Sequence, residues 1–288
     1  MMINNGLEVY GTFEGGGVRG TALVGAVKAI TGRNIRFRAV AGTSAGAIVA
    51  SLIAAGYSAD EMLNMMLDKD FQEFKDPVSR IPVIRHFIAW QKNGLYKGDN
   101  FHRWIEEKLS VKIMGNCFQS PTFQDLPIPL TVIAADISRS KMIVFNQDKY
   151  PDMPVADAVR MSMSIPGFFC PVQFGQSLIV DGGIVSNFPV WVFEELQKIQ
   201  PLPIFGLRLE SENQYLRNNQ GMFNLLGSLF HTFINVNTER EISKVTNLHT
   251  INLPTLGVNV TDFHLSQNRK LQLYQAGLDR TKAYLASI

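Results

Sequence analysis

The sequence predicts one α/β domain built around a mostly parallel sheet. Runs with the periodicity of strands alternate with runs typical of helices to the end of the chain, and the chain opens with strand, loop, helix, strand and helix. Such an opening implies parallel strands joined by a right-handed crossover. The 288 residues are 46% hydrophobic, and no linker or repeat divides them. We therefore expect a single domain over residues 1–288, with the main motifs at about 8–200 and the strand and helices of 201–288 in the same domain.

Individual elements follow from apolar periodicity and from residues that begin or end helices. Ser58 and Glu61 form a capping box at a helix start, and Gly56 and Pro166 each end a helix. The predicted strands are Leu7–Phe13, Ile35–Ala41, Leu130–Ala135, Lys141–Phe145, Ser177–Val180, Ile204–Leu209 and His249–Leu253. The predicted helices run to about Ile30 after a glycine loop, over Ala45–Ala55, from Ser58 onward, and over Asn100–Leu109, Asp157–Met163, Val190–Ile199, about Gly221–Glu241 and Ser266–Leu285.

Composition narrows the function classes. The 27 basic and 25 acidic side chains give a net charge of +2, which is too balanced to predict nucleic acid as a partner. Cys117 and Cys170 lack CxxC spacing, so neither a disulfide framework nor a cysteine-rich metal site is indicated. The N-terminus does not resemble a secretory signal, and the uncharged windows Ala39–Ala59 and Asn218–Thr238 are broken by glycines or polar residues. We therefore expect a cytoplasmic protein without a transmembrane helix.

A serine turn lies between the second predicted strand and the helix that follows it. Gly42 to Gly46 has the pattern Gly-x-Ser-x-Gly, which presents Ser44 at a strained strand-to-helix turn, and the flanking glycines allow other backbone to approach. The helix N-terminus also favours an anion beside the serine. Ser44 is thus a candidate nucleophile.

The glycine loop at Glu14–Gly20 is a candidate oxyanion hole. Successive glycines leave the amides of Gly15, Gly16 and Gly17 free to meet a small anion. Arg19 either steadies this loop or meets a phosphate. The alternative is that the glycines only allow tight packing of helix and strand.

A serine nucleophile needs a base, and Asp181 is the best candidate. It stands at the end of a predicted strand, where Gly182 and Gly183 keep its surroundings open, and desolvation would raise its pKa into a useful range. The alternative is a turn aspartate that bonds its own loop. A Ser-Asp-His triad is disfavoured by chain order, because Ser44 follows only two strands. We interpret each histidine as a packing or surface residue: His86, His102, His231, His249 and His264.

Together these motifs resemble those of patatin-like phospholipases. The family carries a glycine-rich oxyanion loop, a Gly-x-Ser-x-Gly turn and an Asp-Gly-Gly/Ala motif, in the order found here at Glu14–Gly20, Gly42–Gly46 and Asp181–Gly183. The loop opens with Glu14, where aspartate is common in the family. Smaller similarities extend the resemblance over nearly the whole chain: Gly94–Gly98, Ser162–Val172, Asn187, Pro189 and Asp262–Ser266.

The resemblance implies a three-layer α/β/α patatin-like fold and a phospholipase A or lysophospholipase type of activity. Ser44 would attack the acyl carbonyl of a lipid ester, and Asp181 would take and return the proton without a histidine. The Gly15–Gly17 amides would hold the oxyanion, with Arg19 and Gly20 supporting the loop. No metal or cofactor would be required.

Two other interpretations remain open. The spacing of Gly15, Gly17 and Gly20 also fits a dinucleotide fingerprint, although the second strand lacks the acidic residue that would bind a ribose. The other is a regulated, membrane-acting effector phospholipase that is switched by a partner or ligand. It rests on a basic and aromatic segment that could contact a lipid surface or instead pack as a cap over the site. The residues of this segment are Arg80, Arg85, Phe87, Trp90, Lys92 and Tyr96.

Overall fold

A computed structural model describes residues 6–79, 81, 88–89, 91–115, 119–210, 232, 242 and 245–288. The predicted helix at about Gly221–Glu241 lies outside the described residues except for position 232. In these ranges the strands are β1 (Glu8–Phe13), β2 (Arg36–Thr43), β3 (Gly94–Tyr96), β4 (Leu130–Asp136), β5 (Lys141–Asn146), β6 (Gly167–Phe169), β7 (Val172–Phe174), β8 (Ser177–Asp181), β9 (Ile204–Leu209) and β10 (Leu248–Leu253). The α-helices are α1 (Thr21–Thr31), α2 (Ala45–Ala54), α3 (Ala59–Asp68), α4 (Asp99–Met114), α5 (Val155–Ser162), α6 (Glu194–Ile199) and α7 (Gln267–Ser287).

The main sheet is mixed but mostly parallel, as predicted. Its order is β10-β9-β1-β2-β4-β8-β7, and β5 also pairs with β4. The pairs from β10 to β4 are parallel, whereas β5, β7 and β8 enter antiparallel. A separate short parallel pair joins β3 to β6. The sheet therefore has a parallel half that carries the crossovers and an antiparallel half that begins at β4.

Strand β4 brings two distant parts of the chain together. Its residues 131–136 pair with β5, which occupies one of its two edges. The other edge is shared: Thr43 of β2 pairs with Ile133, and Asp181 of β8 pairs with the next residue, Ala134. Because β8 runs antiparallel to β4 while β2 runs parallel to it, the C-terminal ends of β2 and β8 meet end to end.

Apolar side chains cover both faces of the sheet. On β1, Val9 and Phe13 belong to the large core shared with the helices α1, α2, α3 and α5, whereas Tyr10 belongs to a smaller core with Phe193 and Ile204. This alternation is the period of two expected of a strand that is buried on both sides. The α/β fold class with helices on both faces is therefore confirmed. In the described ranges, no helix is both long and apolar enough to cross a membrane.

Helix ends follow local chemistry, with one exception. The Ser58–Glu61 capping box at α3 is present, as predicted. Helix α4 begins one residue before its predicted range, where the carboxylate of Asp76 accepts hydrogen bonds from the amides of Gly98, Asp99 and Asn100. This cap comes from more than twenty residues upstream, so a local pattern does not reveal it. Helix α4 also continues past Leu109 to Met114 and ends at Gly115, which has a positive φ.

Three short strands and the start of one further helix also differ from the predictions. The short strands β3, β6 and β7 were not predicted, because three residues are too few to show an alternating pattern. The predicted helix Val190–Ile199 begins as a 3₁₀ turn over Val190–Phe193 and becomes α-helical only in α6.

Candidate active site

Ser44 occupies a strained turn between β2 and α2. Its φ of 55° and ψ of −125° lie where a residue with a side chain is rarely found. Gly46 allows this turn to pack against β1, since a Cβ at Gly46 would lie 2.0 Å from the carbonyl oxygen of Phe13. A Cβ at Gly42 would likewise lie 2.3 Å from the carbonyl oxygen of Gly46. Both glycines of the predicted motif are therefore required by close backbone approach.

A buried hydrogen-bond bridge fixes the Ser44 backbone. The Ser44 amide donates to Ser162 Oγ at 2.9 Å, and the Ser162 hydroxyl donates to the carbonyl oxygen of Ile133 at 2.6 Å. Ser162 is fully buried at the end of α5. The sequence indicated Ser162 only as the first residue of a family-like stretch, with no role. The structure adds it to the site as the link between the serine turn and β4.

Asp181 is fully buried at the end of β8. Its amide donates to the carbonyl oxygen of Ser164 at 2.9 Å, and its Oδ1 accepts from the Gly183 amide at 2.8 Å. Its Oδ2 has no hydrogen-bond partner among the residues that the structure describes. Burial raises the pKa of Asp181 to about 7, against the opposing effects of the Ser44 hydroxyl and the Gly183 amide. The turn-aspartate alternative therefore describes Oδ1, which bonds the turn, but not Oδ2, which has no partner in the described residues.

The turn after Asp181 packs directly against the turn after β2. A Cβ at Gly182 would lie 2.3 Å from the carbonyl oxygen of Ile133 and 3.0 Å from Cγ2 of Thr43. The Thr43 hydroxyl donates to the carbonyl oxygen of Ser186 at 2.8 Å. The segment that carries Ser44 and the segment that carries Asp181 are thus held together by the packing of Gly182 on Thr43 and by the hydrogen bond from Thr43 to Ser186.

The glycine loop lies against Ser44, but one of its predicted donors is already used. The Gly15 amide donates to the carbonyl oxygen of Asn187 at 3.1 Å, so the expectation that it is free for an oxyanion is wrong. Instead, Gly15 allows a close approach, because a Cβ there would lie 3.1 Å from the Cβ of Ser44. The amides of Gly16 and Gly17 have no acceptor within the described part of the chain. These two remain candidate donors.

Side chains at both ends of the loop hold it in place. Arg19 Nε donates to the carbonyl oxygen of Gly16 at 3.1 Å, which supports the loop-steadying interpretation of this residue. Glu14 Oε2 accepts from the Leu209 amide at 2.6 Å and so ties the loop to β9. Burial raises the pKa of Glu14 to about 7. Gly20 faces the serine turn, where a Cβ would lie 3.2 Å from the Cβ of Ala45.

The predicted interfacial segment is only partly described. Lys92 is exposed, whereas Tyr96 is half-buried in β3 with its ring centroid 4.8 Å from that of Phe168. Tyr96 therefore packs within the protein, which fits the cap alternative at this position. The remaining residues lie outside the described ranges: Arg80, Arg85, Phe87 and Trp90.

None of the described histidines has a hydrogen bond to Ser44 or Asp181. His102 Nε2 and Asp157 Oδ1 are 2.6 Å apart, His249 Nδ1 is 3.1 Å from the Tyr284 hydroxyl, and His264 is exposed. In the described ranges, no group of three or more His, Cys, Asp or Glu residues could hold a metal ion.

Comparison with known proteins identifies the family. Residues 11–194 match the family described as patatin-like phospholipase. The chain belongs to the patatin-like phospholipase family. It is 38% identical to the uncharacterized protein YqhO of Bacillus subtilis (strain 168), over 97% of this chain and 98% of that protein. It is 25% identical to the probable lipid hydrolase 463L of Invertebrate iridescent virus 6, over 62% of this chain and 60% of that protein.

Two solved structures share the fold. VipD from Legionella pneumophila has a TM-score of 0.60 and 16% identity, covering 98% of this chain and 67% of that chain. ExoU from Pseudomonas aeruginosa, solved as a heterodimer with SpcU, has a TM-score of 0.52 and 19% identity, covering 99% of this chain and 52% of that chain. At these identities the likeness concerns the fold alone.

Family membership also decides between the interpretations of the glycine loop. The dinucleotide alternative is not supported, because the loop belongs to a patatin-like domain. The carbonyl oxygen of Val260 also approaches within 2.1 Å of where a Cβ at Gly17 would lie, and it accepts the Val18 amide at 3.1 Å. Another chain segment therefore packs onto this side of the loop.

The buried carboxyl group of Asp181 makes the free energy of unfolding depend on pH. Its pKa is raised from 3.8 to about 7 by burial, so the stability that it contributes is complete below about pH 4 and is lost as pH rises through 7. We predict that Asp181→Asn raises the free energy of unfolding by about 4 kcal/mol more at pH 8 than at pH 4. Urea unfolding at the two pH values measures this difference. The exposed Asp148→Asn is the matched control, and an equal effect of Asp181→Asn at both pH values would contradict a raised pKa.

Ser162 is expected to position the serine turn. Ser162→Ala leaves the Ser44 amide and the Ile133 carbonyl without their buried partner, so the strained turn loses its link to β4. We predict that kcat for a soluble ester falls by about tenfold to a hundredfold while KM changes little. The control is Ser51→Ala, since Ser51 is equally buried but bonds only the Ile48 carbonyl of its own helix. Equal kcat losses in both variants would show that Ser162 has no special role.

Proposed function

We propose that this protein is a lipid acyl hydrolase that releases fatty acid through a dyad of Ser44 and Asp181. The observation that carries the proposal is the shared edge of β4. Thr43, which precedes Ser44, pairs with Ile133, and Asp181, whose Oδ2 has no partner in the described residues, pairs with Ala134; these neighbouring pairs support a shared site. Patatin-like proteins are a lipid hydrolase family, and one relative bears the name probable lipid hydrolase.

Asp181 is suited to take the proton from Ser44. A base works best when its pKa lies near the working pH, and burial raises the pKa of Asp181 to about 7. In this structure the Ser44 hydroxyl contacts Met163 Sδ at 3.6 Å, and a thioether sulfur is a weak acceptor. The hydroxyl can therefore turn to the carboxylate at little cost. Ser44 would then attack the acyl carbonyl, and Asp181 would return the proton to the leaving alcohol.

The developing oxyanion would be met by backbone amides. Gly16 and Gly17 offer two amides without acceptors in the described residues, and the Ala45 amide at the start of α2 offers a third. The positive end of the helix dipole adds to the same site. Since the Gly15 amide is engaged with Asn187, we assign Gly15 a packing role rather than a donor role.

A small apolar cavity of about 40 Å³ lies beside the serine turn and would have to widen to hold an acyl chain. It reaches from the glycine loop and Ala45 to a cluster of aromatic rings, and Thr21 is its most polar described residue. Two methionines, Met66 and Met163, give its walls adaptable shape. The described lining consists of Gly17, Val18, Gly20, Thr21, Ala45, Ile48, Met66, Phe71, Phe74, Phe101, Trp104, Met163 and Phe263.

The acyl-enzyme is then hydrolysed by the same residues. Asp181 takes a proton from water, which attacks the Ser44 ester while the loop amides again hold the oxyanion. Asp181 then returns the proton to Ser44 Oγ as its bond to the acyl carbon breaks and the fatty acid leaves. The chemistry needs no metal or cofactor at any step. The substrate class that fits is a lipid ester with an apolar acyl chain, presented at a membrane surface. Exposed Lys92 is the described residue of the predicted interfacial segment that could contact such a surface.

The dyad is tested by fatty acid release from a mixed lipid extract. We predict that Ser44→Ala and Asp181→Asn each lower the rate by about 1000-fold or more, whereas the exposed Asp148→Asn leaves it unchanged. Quantitative mass spectrometry of free fatty acids measures the rates. Asp181→Asn is expected to be stably folded, so its inactivity would not reflect unfolding. Fatty acid release at equal rates by wild type and both site variants would refute the proposal.

A further inference from the structure

A large open cleft lies apart from the Ser44 site. It has a volume of about 900 Å³ and is bounded by the segment around β3, by α4 and α5, and by the β7–β8 hairpin. None of the described residues that line it belongs to the serine turn, the glycine loop or the Asp181 turn. This cleft therefore has no place in the hydrolysis proposed above.

Positive charge dominates the cleft. Arg160, Lys92 and Lys97 line it, and among the described residues none of the three has a salt-bridge partner. The carboxylate of Asp157 also lines it but is paired with His102 at 2.6 Å. That pairing raises the pKa of His102, so this imidazole gains positive charge more readily. Asp99 is the remaining described acidic residue on the wall and is exposed.

Arg160 is the unusual member of this group. It is 7% exposed, and its guanidinium donates only to neutral oxygens. Nη1 donates to Ser164 Oγ at 2.6 Å, and Nη2 donates to the carbonyl oxygens of Lys97 and of Cys170, the latter at 3.1 Å. Burial lowers the pKa of this group, and the carboxylates of Asp99 and Asp76 oppose that effect without forming a salt bridge to it in the described residues. An anion in the cleft would give Arg160 a directly bonded counter-ion.

The remaining walls of the cleft are apolar. Met153, Pro171 and Phe174 line it beside the cations, so an anionic group attached to an apolar body would find contacts for both parts. Arginine and lysine together suit phosphate, which takes planar, two-point contacts from arginine and point charge from lysine.

We propose that this cleft is a phosphate-binding site, with Arg160 at its base and Lys92 and Lys97 at its rim. The phosphate belongs either to a lipid headgroup or to a free phosphate ion, and the apolar walls suit the former. The proposal does not depend on the Ser44–Asp181 dyad. A link to the dyad exists, however, because Ser164 contacts Arg160 through its hydroxyl and Asp181 through its carbonyl.

Cys170 provides a local reporter for the test. It lines the cleft, is half-buried and is a free thiol. Burial raises its pKa, so alkylation is best followed at about pH 8.5. The experiment uses the full chain with Ser44→Ala, which removes turnover, and follows alkylation of the Cys170 peptide by mass spectrometry. The probes are dihexanoyl phosphatidic acid, inorganic phosphate and zwitterionic dihexanoyl phosphatidylcholine.

We expect saturating dihexanoyl phosphatidic acid to slow Cys170 alkylation by about tenfold and phosphatidylcholine to protect far less. Lys92→Gln with Lys97→Gln should raise the concentration that gives half protection by about tenfold or more. The control pair, Lys141→Gln with Lys282→Gln, carries the same charge change at exposed positions away from the cleft.

The arms of the experiment separate the two sources of phosphate. Protection by phosphatidic acid at concentrations where inorganic phosphate gives none assigns a lipid headgroup, and equal protection by both assigns a free phosphate. Three results would overturn the proposal: no protection by either probe, equal protection by phosphatidylcholine, or protection undiminished when Lys92 and Lys97 are replaced.

Discussion

The shared edge of β4 is the constraint on which the candidate active site depends. Strands β2 and β8 run in opposite directions and end at neighbouring positions of β4. The turn that follows β2 and the last residue of β8 must therefore meet. The pairing register is fixed because both faces of the sheet are buried, and a slip of one residue would turn every side chain of a strand to the wrong face. Ile133 is the central point of this arrangement. Its carbonyl accepts the Ser162 hydroxyl, and it lies against Gly182.

The site combines two local costs that the surrounding fold must offset. Ser44 holds a rare backbone conformation, and Asp181 holds a carboxyl group in a fully buried position. The Ser44 amide donates to Ser162 Oγ and the Asp181 amide donates to the carbonyl oxygen of Ser164, and these hydrogen bonds hold the two residues in place. The segment that carries Ser162 and Ser164 is thus a brace between the nucleophile and the base. A strained backbone and a buried carboxyl group both lower stability, and such features are typical of active sites.

Sequence patterns predicted the fold class and the three turns of the site, because these depend on local periodicity and on glycine. The parallel opening of the sheet follows from β1, α1 and β2 alone. The sequence could not show that β8 pairs antiparallel with the half of the β4 edge that β2 leaves open, since this pairing depends on packing between residues far apart in the chain. It gave no role to Ser162 for the same reason. The extent of the domain over residues 1–288 remains a prediction.

The glycine loop also shows that local sequence patterns do not predict tertiary hydrogen bonds. Three successive glycines predict three free amides, but Asn187 takes the first of them through a contact 172 residues away. Chain order and spacing identify the loop, whereas only tertiary packing decides which of its amides remain unbonded. The functional interpretation therefore shifts from Gly15 to Gly16 and Gly17.

The central claim is that Asp181 takes the proton from Ser44. Its most direct test is the rate of Ser44 labelling by a fluorophosphonate between pH 5 and 9, in wild type, Asp181→Asn and Glu14→Gln. Glu14 has a pKa of about 7 as well, so its variant shows which carboxyl group controls the rate. We predict a wild-type rate that is half-maximal near pH 7, the same midpoint in Glu14→Gln, and a low rate independent of pH in Asp181→Asn. An unchanged rate and midpoint in Asp181→Asn would contradict the account.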